Sequence, residues 1–136
     1  MPANTSPVFP LTPVIPVGQT IITANTAKDG TGAVVTLYTA GANGSKCDAV
    51  QVAFTGTSVA TVLRLFINNG ATPTVATNNT LFKSVTVPAN TLSEVAAAAD
   101  FSVPIGLTLP AGYKILATIG TTVAAALALT ASGGDL

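Results

Sequence analysis

The sequence predicts an all-β domain, an antiparallel β-sandwich of jelly-roll topology behind an extended, proline-rich N-terminal arm. Three observations predict it. Phe101, Val103, Ile105, Leu107 and Leu109 fall on one face of a strand while Ser102, Pro104, Gly106 and Thr108 fall on the other, the period of two that marks a half-buried strand. From Thr20 onward, short β-rich runs are separated by turn signals rich in Gly and Asn. Before Thr20, Pro7, Pro10, Pro13 and Pro16 recur every third residue, the repeat of a polyproline II helix.

The arm, residues 1–19, is its own compositional block. In polyproline II geometry the prolines line one edge, Val8, Leu11, Val14 and Val17 a second, and Phe9 and Ile15 the third. Such a segment reaches roughly 50 to 60 Å at about 3.1 Å per residue and pairs its backbone with nothing internal. Disordered linkers are polar, whereas this one is apolar, so it is expected to lie on a surface, with the neighbouring subunit favoured over its own domain. Val8, Phe9, Leu11, Val14, Ile15 and Val17 are therefore the candidate partner-binding residues.

Residues 20–136 read as one sandwich domain. "TIITA" is followed by the loop "KDGTG", and "AVVTLYTA" by "GANGSK", where Asn43-Gly44 is a strong turn signal. "AVQVAF" points Val50, Val52 and Phe54 inward. "VLRLFI" places Leu63, Leu65 and Ile67 on one face and Arg64 on the other, and Asn69-Gly70 ends it. In "TLFKSVTV" Lys83 falls on the face of Val85 and Val87, and a bulge near Lys83 or Ser84 would restore the phase. "NTLSEVAAAAD" is the one helical signal: Thr91 to Glu94 has capping-box spacing ahead of an alanine run, enough for at most two turns. Pro104 cannot donate to a ladder, which places the Phe101 strand at a sheet edge or interrupts it there. The turn Pro110-Ala111-Gly112 reverses the chain into Tyr113 to Ile119, and a last strand is expected from about Val123 to Thr130. "GTSVATVLRL" and "GTTVAAALAL" repeat one another 64 residues apart, which suggests equivalent Gly-Thr hairpins in two facing sheets.

Charge is scarce. Five basic and five acidic residues give a net charge of zero and only 7% of the composition, against roughly a quarter in ordinary soluble domains. Spread over roughly 6,500 Å² of surface, that is about one charge per 650 Å². Covered surface would explain it, and so would sheet edges protected by another copy instead of by charges. A homo-oligomer, dimer or trimer, is the expectation. No basic stripe exists to neutralise phosphates, so nucleic acid is not an expected partner. The uncharged run Ile115 to Gly134 is long enough to cross a bilayer, but Gly120 and its threonines break it, and it reads as two strands rather than a membrane span. No basic segment followed by an apolar stretch opens the chain, so export by a signal peptide is not indicated.

The chain carries little that reacts. It has no histidine, which removes the commonest general base and most metal sites, and no cofactor or metal is expected. Cys47, the single cysteine, lies between Lys46 and Asp48; an intermolecular bridge is open to it, but a small half-buried thiol is the expectation, and a catalytic role lacks a base. Glu94 and Asp100 form a conceivable acid and base pair, but solvated surface carboxylates are the plainer reading. "KDGTGA" and "GANGSK" lack the spacing of phosphate loops and are turns. An enzyme is not expected.

Beyond these readings, "ANTAKDGTGAVVTLYTAGANGSK", "LRLFINNG", "NNTL", "TLSEVAA", "LPAGYKI", "IGTTVAA" and the final "GGDL" give the chain a style that resembles the small structural proteins of tailed-bacteriophage virions. The resemblance spans most of the chain after the arm and transfers no functional residue. It implies a capsid decoration or cement protein, made in the host cytoplasm and placed on the capsid surface, with the major capsid protein or another virion protein as partner. A tail, neck or fibre component has the same physics and is the alternative. A carbohydrate-binding module is less well supported, since the chain has no Trp and only Tyr38 and Tyr113 besides its phenylalanines for stacking.

Overall fold

Alternating apolar residues give β-strands such as Ser45–Phe54 and Phe101–Leu109 one buried face, and the computed structural model, which describes residues 10–136, stacks two antiparallel sheets over such faces. The strands are β1 (Thr12–Val14), β2 (Thr20–Ile21), β3 (Val35–Thr39), β4 (Ser45–Phe54), β5 (Thr61–Asn68), β6 (Asn79–Val87), β7 (Phe101–Leu109), β8 (Lys114–Ile119) and β9 (Leu127–Asp135). One sheet runs β1-β9-β4-β7, with β2 also on β9, and the other runs β3-β8-β5-β6. Every connection changes sheet except β1 to β2 and β5 to β6.

The period-two readings hold where they were cleanest. Val50, Val52 and Phe54 of β4 are buried, as are Leu63 and Leu65 of β5 and Val103, Ile105 and Leu109 of β7. Register stacks them: Val50 stands between Val103 and Ala131, and Leu65 faces Ala117. Full burial of each such side chain is worth about 1.5 to 3 kcal/mol. β7 is an edge strand, paired only with β4, as Pro104 requires.

Four expectations are corrected. The "NTLSEVAAAAD" segment is not helical; it is an exposed loop turned at a Ser93–Ala96 bridge, because a short alanine run with no face to bury gains too little to nucleate a helix. The last strand begins and ends later than expected, at Leu127–Asp135, so "SGGD" is strand despite its glycines. A Cβ on Gly133 would run into the Lys46 carbonyl oxygen and lie 3.0 Å from Cys47 Cα, and one on Gly134 would lie 2.9 Å from the Thr12 carbonyl oxygen. Bare glycine lets β4 and β1 close on β9 from both sides.

The third correction concerns the Gly-Thr repeat. Its two copies are arches that join the sheets, β4 to β5 and β8 to β9, not hairpins within them. They pack on each other: Thr61 Oγ1 accepts from Thr121 N at 3.0 Å and donates to Thr121 O at 3.2 Å, and Gly120 N donates to Val62 O at 3.0 Å. The same local sequence serves twice because β4 pairs with β9 and β5 with β8, which places the arches side by side.

The fourth correction concerns the edges. In β6 the inserted residue is Phe82, one position before the expected bulge, and Lys83 stays in the inward phase opposite Leu65. Its ammonium lies 5.6 Å from the centre of the Phe82 ring and donates to Pro104 O at 2.5 Å, fastening the β6 edge to the β7 edge. Opposite Asp48, β7 carries Ile105 and Gly106 together, the glycine at φ +64. In β3, Leu37 is inserted between the paired Thr36 and Tyr38. Bulges, prolines and the inward-pointing Lys83 guard these edges, so unprotected edges are no longer an argument for oligomerisation.

Two outward residues of the second sheet are buried as deeply as the core. Phe66 and its cross-strand partner Leu116 are 0% and 1% exposed, yet they stand outside the inter-sheet cluster. The segment between Ala24 and Val35 accounts for them. It leaves Ile119 of β8 through the Asn25 N to Ile119 O bond (2.7 Å), reaches β6 where Asn79 Nδ2 donates to Asp29 O at 3.1 Å, and returns to pair Val35 with Ala117. It is a strap across that outer face. Asn25 holds it in shape, its Nδ2 donating to Thr31 O (2.7 Å) and Ala33 O (2.8 Å) while its Oδ1 accepts from Ala27 N (3.0 Å).

Candidate interaction surface

The arm enters the described structure at Pro10 and runs along the free side of β9. Thr12–Val14 pairs with Gly133–Asp135, and Thr20–Ile21 with Leu127–Ala128. This pairing within its own domain departs from the expectation of an unpaired backbone. Pro13 is tolerated because β1 is an edge strand, where a missing donor breaks no interior ladder. Between the two paired pieces, Gly18 adopts φ +77, a turn that other residues disfavour, and Gln19 O accepts from Leu129 N at 2.9 Å.

The end of the arm is tied to a small polar network. Leu11 N donates to Asp135 O at 2.7 Å, Ser45 Oγ donates to the Asp135 carboxylate, and Gly41 N donates to Ser45 Oγ at 2.9 Å. Burial pushes the nearby Tyr38 hydroxyl above its ordinary pKa.

The six expected partner-binding residues divide. Val8 and Phe9 lie outside the described residues. Val14 points into the sandwich and packs against the core. Leu11, Ile15 and Val17 are 83%, 59% and 82% exposed. Own-sheet pairing thus satisfies part of the arm's backbone while leaving three large apolar side chains in water. Beside them an open groove of about 320 Å³ separates Val14, Pro16 and Gln19 from Thr36 to Thr39 of β3.

None of the reactive candidates meets a partner. Cys47 is 0% exposed, and burial, reinforced by Asp48, pushes its thiol up to about 11. A thiol so placed is a poor nucleophile. A thiol reagent such as dithionitrobenzoate is therefore expected to leave folded protein unlabelled at pH 8 over hours and to label it at once in denaturant; rapid labelling of the native protein would contradict this placement. Glu94 and Asp100 both sit in the exposed β6–β7 loop, where Asp100 Oδ1 accepts from Phe54 N at 3.3 Å. In "KDGTG" the Asp29 carboxylate accepts from Thr31 N (3.1 Å) and Thr31 Oγ1 (2.6 Å), which holds its pKa below the usual range. That is a turn bonded to itself. Among the described residues no group of three His, Cys, Asp or Glu stands together, and no helix is long and apolar enough to cross a membrane.

Sequence reasoning did not find the strap or the buried pair beneath it. The signal was present in Phe66, which follows Leu65 and so breaks the alternation of β5, but a second apolar residue in a row is also how a bulge or a strand end reads. No family model, curated protein or solved structure matches this chain.

Proposed function

We propose that this protein is a structural component of a virion, most simply a capsid decoration or cement protein that holds its place through apolar contacts rather than through chemistry. The observation that carries the reading is the arm: it is fastened to its own sheet at two places, and it presents Leu11, Ile15 and Val17 outward at 83%, 59% and 82% exposure. Isolated exposed apolar residues are ordinary, but a run on one proline-stiffened segment marks a contact surface. A homo-oligomer, or docking on the major capsid protein or another virion protein, would cover them.

The sandwich is read as a jelly roll. In support, β1 and β2 together act as one edge strand, and the resulting eight strands divide four and four with the chain changing sheet at every later step but one. That architecture is shared by viral capsid proteins, lectins and cupins. A cupin-like metal site has no histidine to draw on here. A lectin-like site has little aromatic surface, since Tyr38 is 1% exposed.

The test has two parts. Mass spectrometry of purified particles should find the protein in hundreds of copies; about a dozen would favour a tail or neck position, and none would overturn the virion reading. The triple variant Leu11→Ser, Ile15→Ser, Val17→Ser should keep the β circular dichroism spectrum and be retained on undecorated particles more than tenfold less well, because each fully buried side chain is worth about 1.5 to 3 kcal/mol. Equal retention would show that the arm is not the contact.

A further inference from the structure

We infer that the outer face of the second sheet carries a receiving site for a single carboxylate, centred on Arg64. The inference stands independently of the virion reading.

Arg64 lies in the middle of β5, between Ser84 of β6 and Thr118 of β8. Its guanidinium rests over Gly120, where an added Cβ would lie 3.3 Å from Nη1 and 3.8 Å from Nη2. Nη1 is enclosed without an acceptor, and so is the hydroxyl of the neighbouring Thr118. Arg64 is one of only five basic residues in the chain and is partly exposed. The ion pair among the described residues, Lys46 with Asp48, is elsewhere.

The guanidinium borders an open groove of about 340 Å³ lined by Ala60, Val62, Thr86, Gly120 and Thr121 as well as Arg64. Among the described residues no acidic side chain lines it to compete for the cation. No second cation lines it either. Nη1 faces inward, so a ligand in the groove meets the remainder of a single, partly exposed guanidinium, and one such cation suits a singly charged carboxylate. A phosphate would bring more charge than one arginine balances. The carboxylate can come from an acidic side chain of a docked protein or from a small organic acid; the site chemistry is the same.

The test is thermal unfolding followed by circular dichroism in acetate, chloride and phosphate at matched ionic strength and pH 7. The wild-type midpoint should rise by about 3 °C in 100 mM acetate over chloride, and phosphate should do less. Arg64→Met keeps the volume and should abolish the difference, while Arg64→Lys keeps the charge without the fork and should retain less than half of it. No acetate effect on the wild type, or the same effect in Arg64→Met, would overturn the site. A phosphate effect equal to that of acetate would overturn the assignment to a carboxylate. An acidic peptide giving the same rise at a hundredfold lower concentration would place the source on a protein; acetate and peptide acting at equal concentrations would place it in small acids.

Discussion

Replacing Gly133 by alanine is expected to remove about 3 kcal/mol of stability, the upper end of what overpacking costs, and to lower the unfolding midpoint by about 10 °C. The new methyl group would enter the Lys46 carbonyl oxygen and stand 3.0 Å from Cys47 Cα. Both obstacles are backbone of β4, which is held by β7 on its other side and cannot retreat without breaking a second ladder. Ser132→Ala at the adjacent position of β9 should stay within about 0.5 kcal/mol. Thermal unfolding of the two variants side by side checks this. A Gly133→Ala protein as stable as the wild type would mean that β4 and β9 are not in the observed register.

The second large effect belongs to the strap. Phe66→Ala is expected to cost about 3 to 5 kcal/mol, the range for emptying an aromatic site, although Phe66 lies outside the inter-sheet cluster. The location makes the outcome distinctive. Loss of the ring removes what the Ala24 to Val35 segment rests on, so trypsin should cut faster after the exposed Lys28. Leu65→Ala, in the inter-sheet core one residue away, should lower global stability similarly and leave that cut slow under native conditions. If both variants speed the cut equally, the strap does not depend on Phe66.

Much of this protein was legible before any strand was placed. Alternation marked the inward faces of β4 and β7 and of the first half of β5, because side-chain direction along a strand follows from backbone geometry alone. Pro104 marked an edge because a residue without an N–H cannot serve an interior ladder. Cys47 was expected to be half-buried, and it is fully enclosed, a depth that its flanking charges Lys46 and Asp48 did not suggest. Leu11, Ile15 and Val17 were named from composition and are exposed; Val14, named with them, is turned inward.

Tertiary structure alone decided which backbone each strand meets. A strand offers the same N–H and C=O groups to any neighbour, so its sequence specifies a face but not a partner. The Gly-Thr segments therefore read as hairpins when they are arches, since the same local turn can lead back into one sheet or across to the other. The last strand read as ending near Thr130, which left Gly133 and Gly134 outside it, yet they are what lets three strands meet. The segment anchored on either side of Phe66 lies some thirty to forty residues earlier in the chain, and Lys83 is explained only by a carbonyl on another strand. Each of these depends on contacts made after the sheets assemble, between residues whose separation along the chain leaves no local periodicity to read.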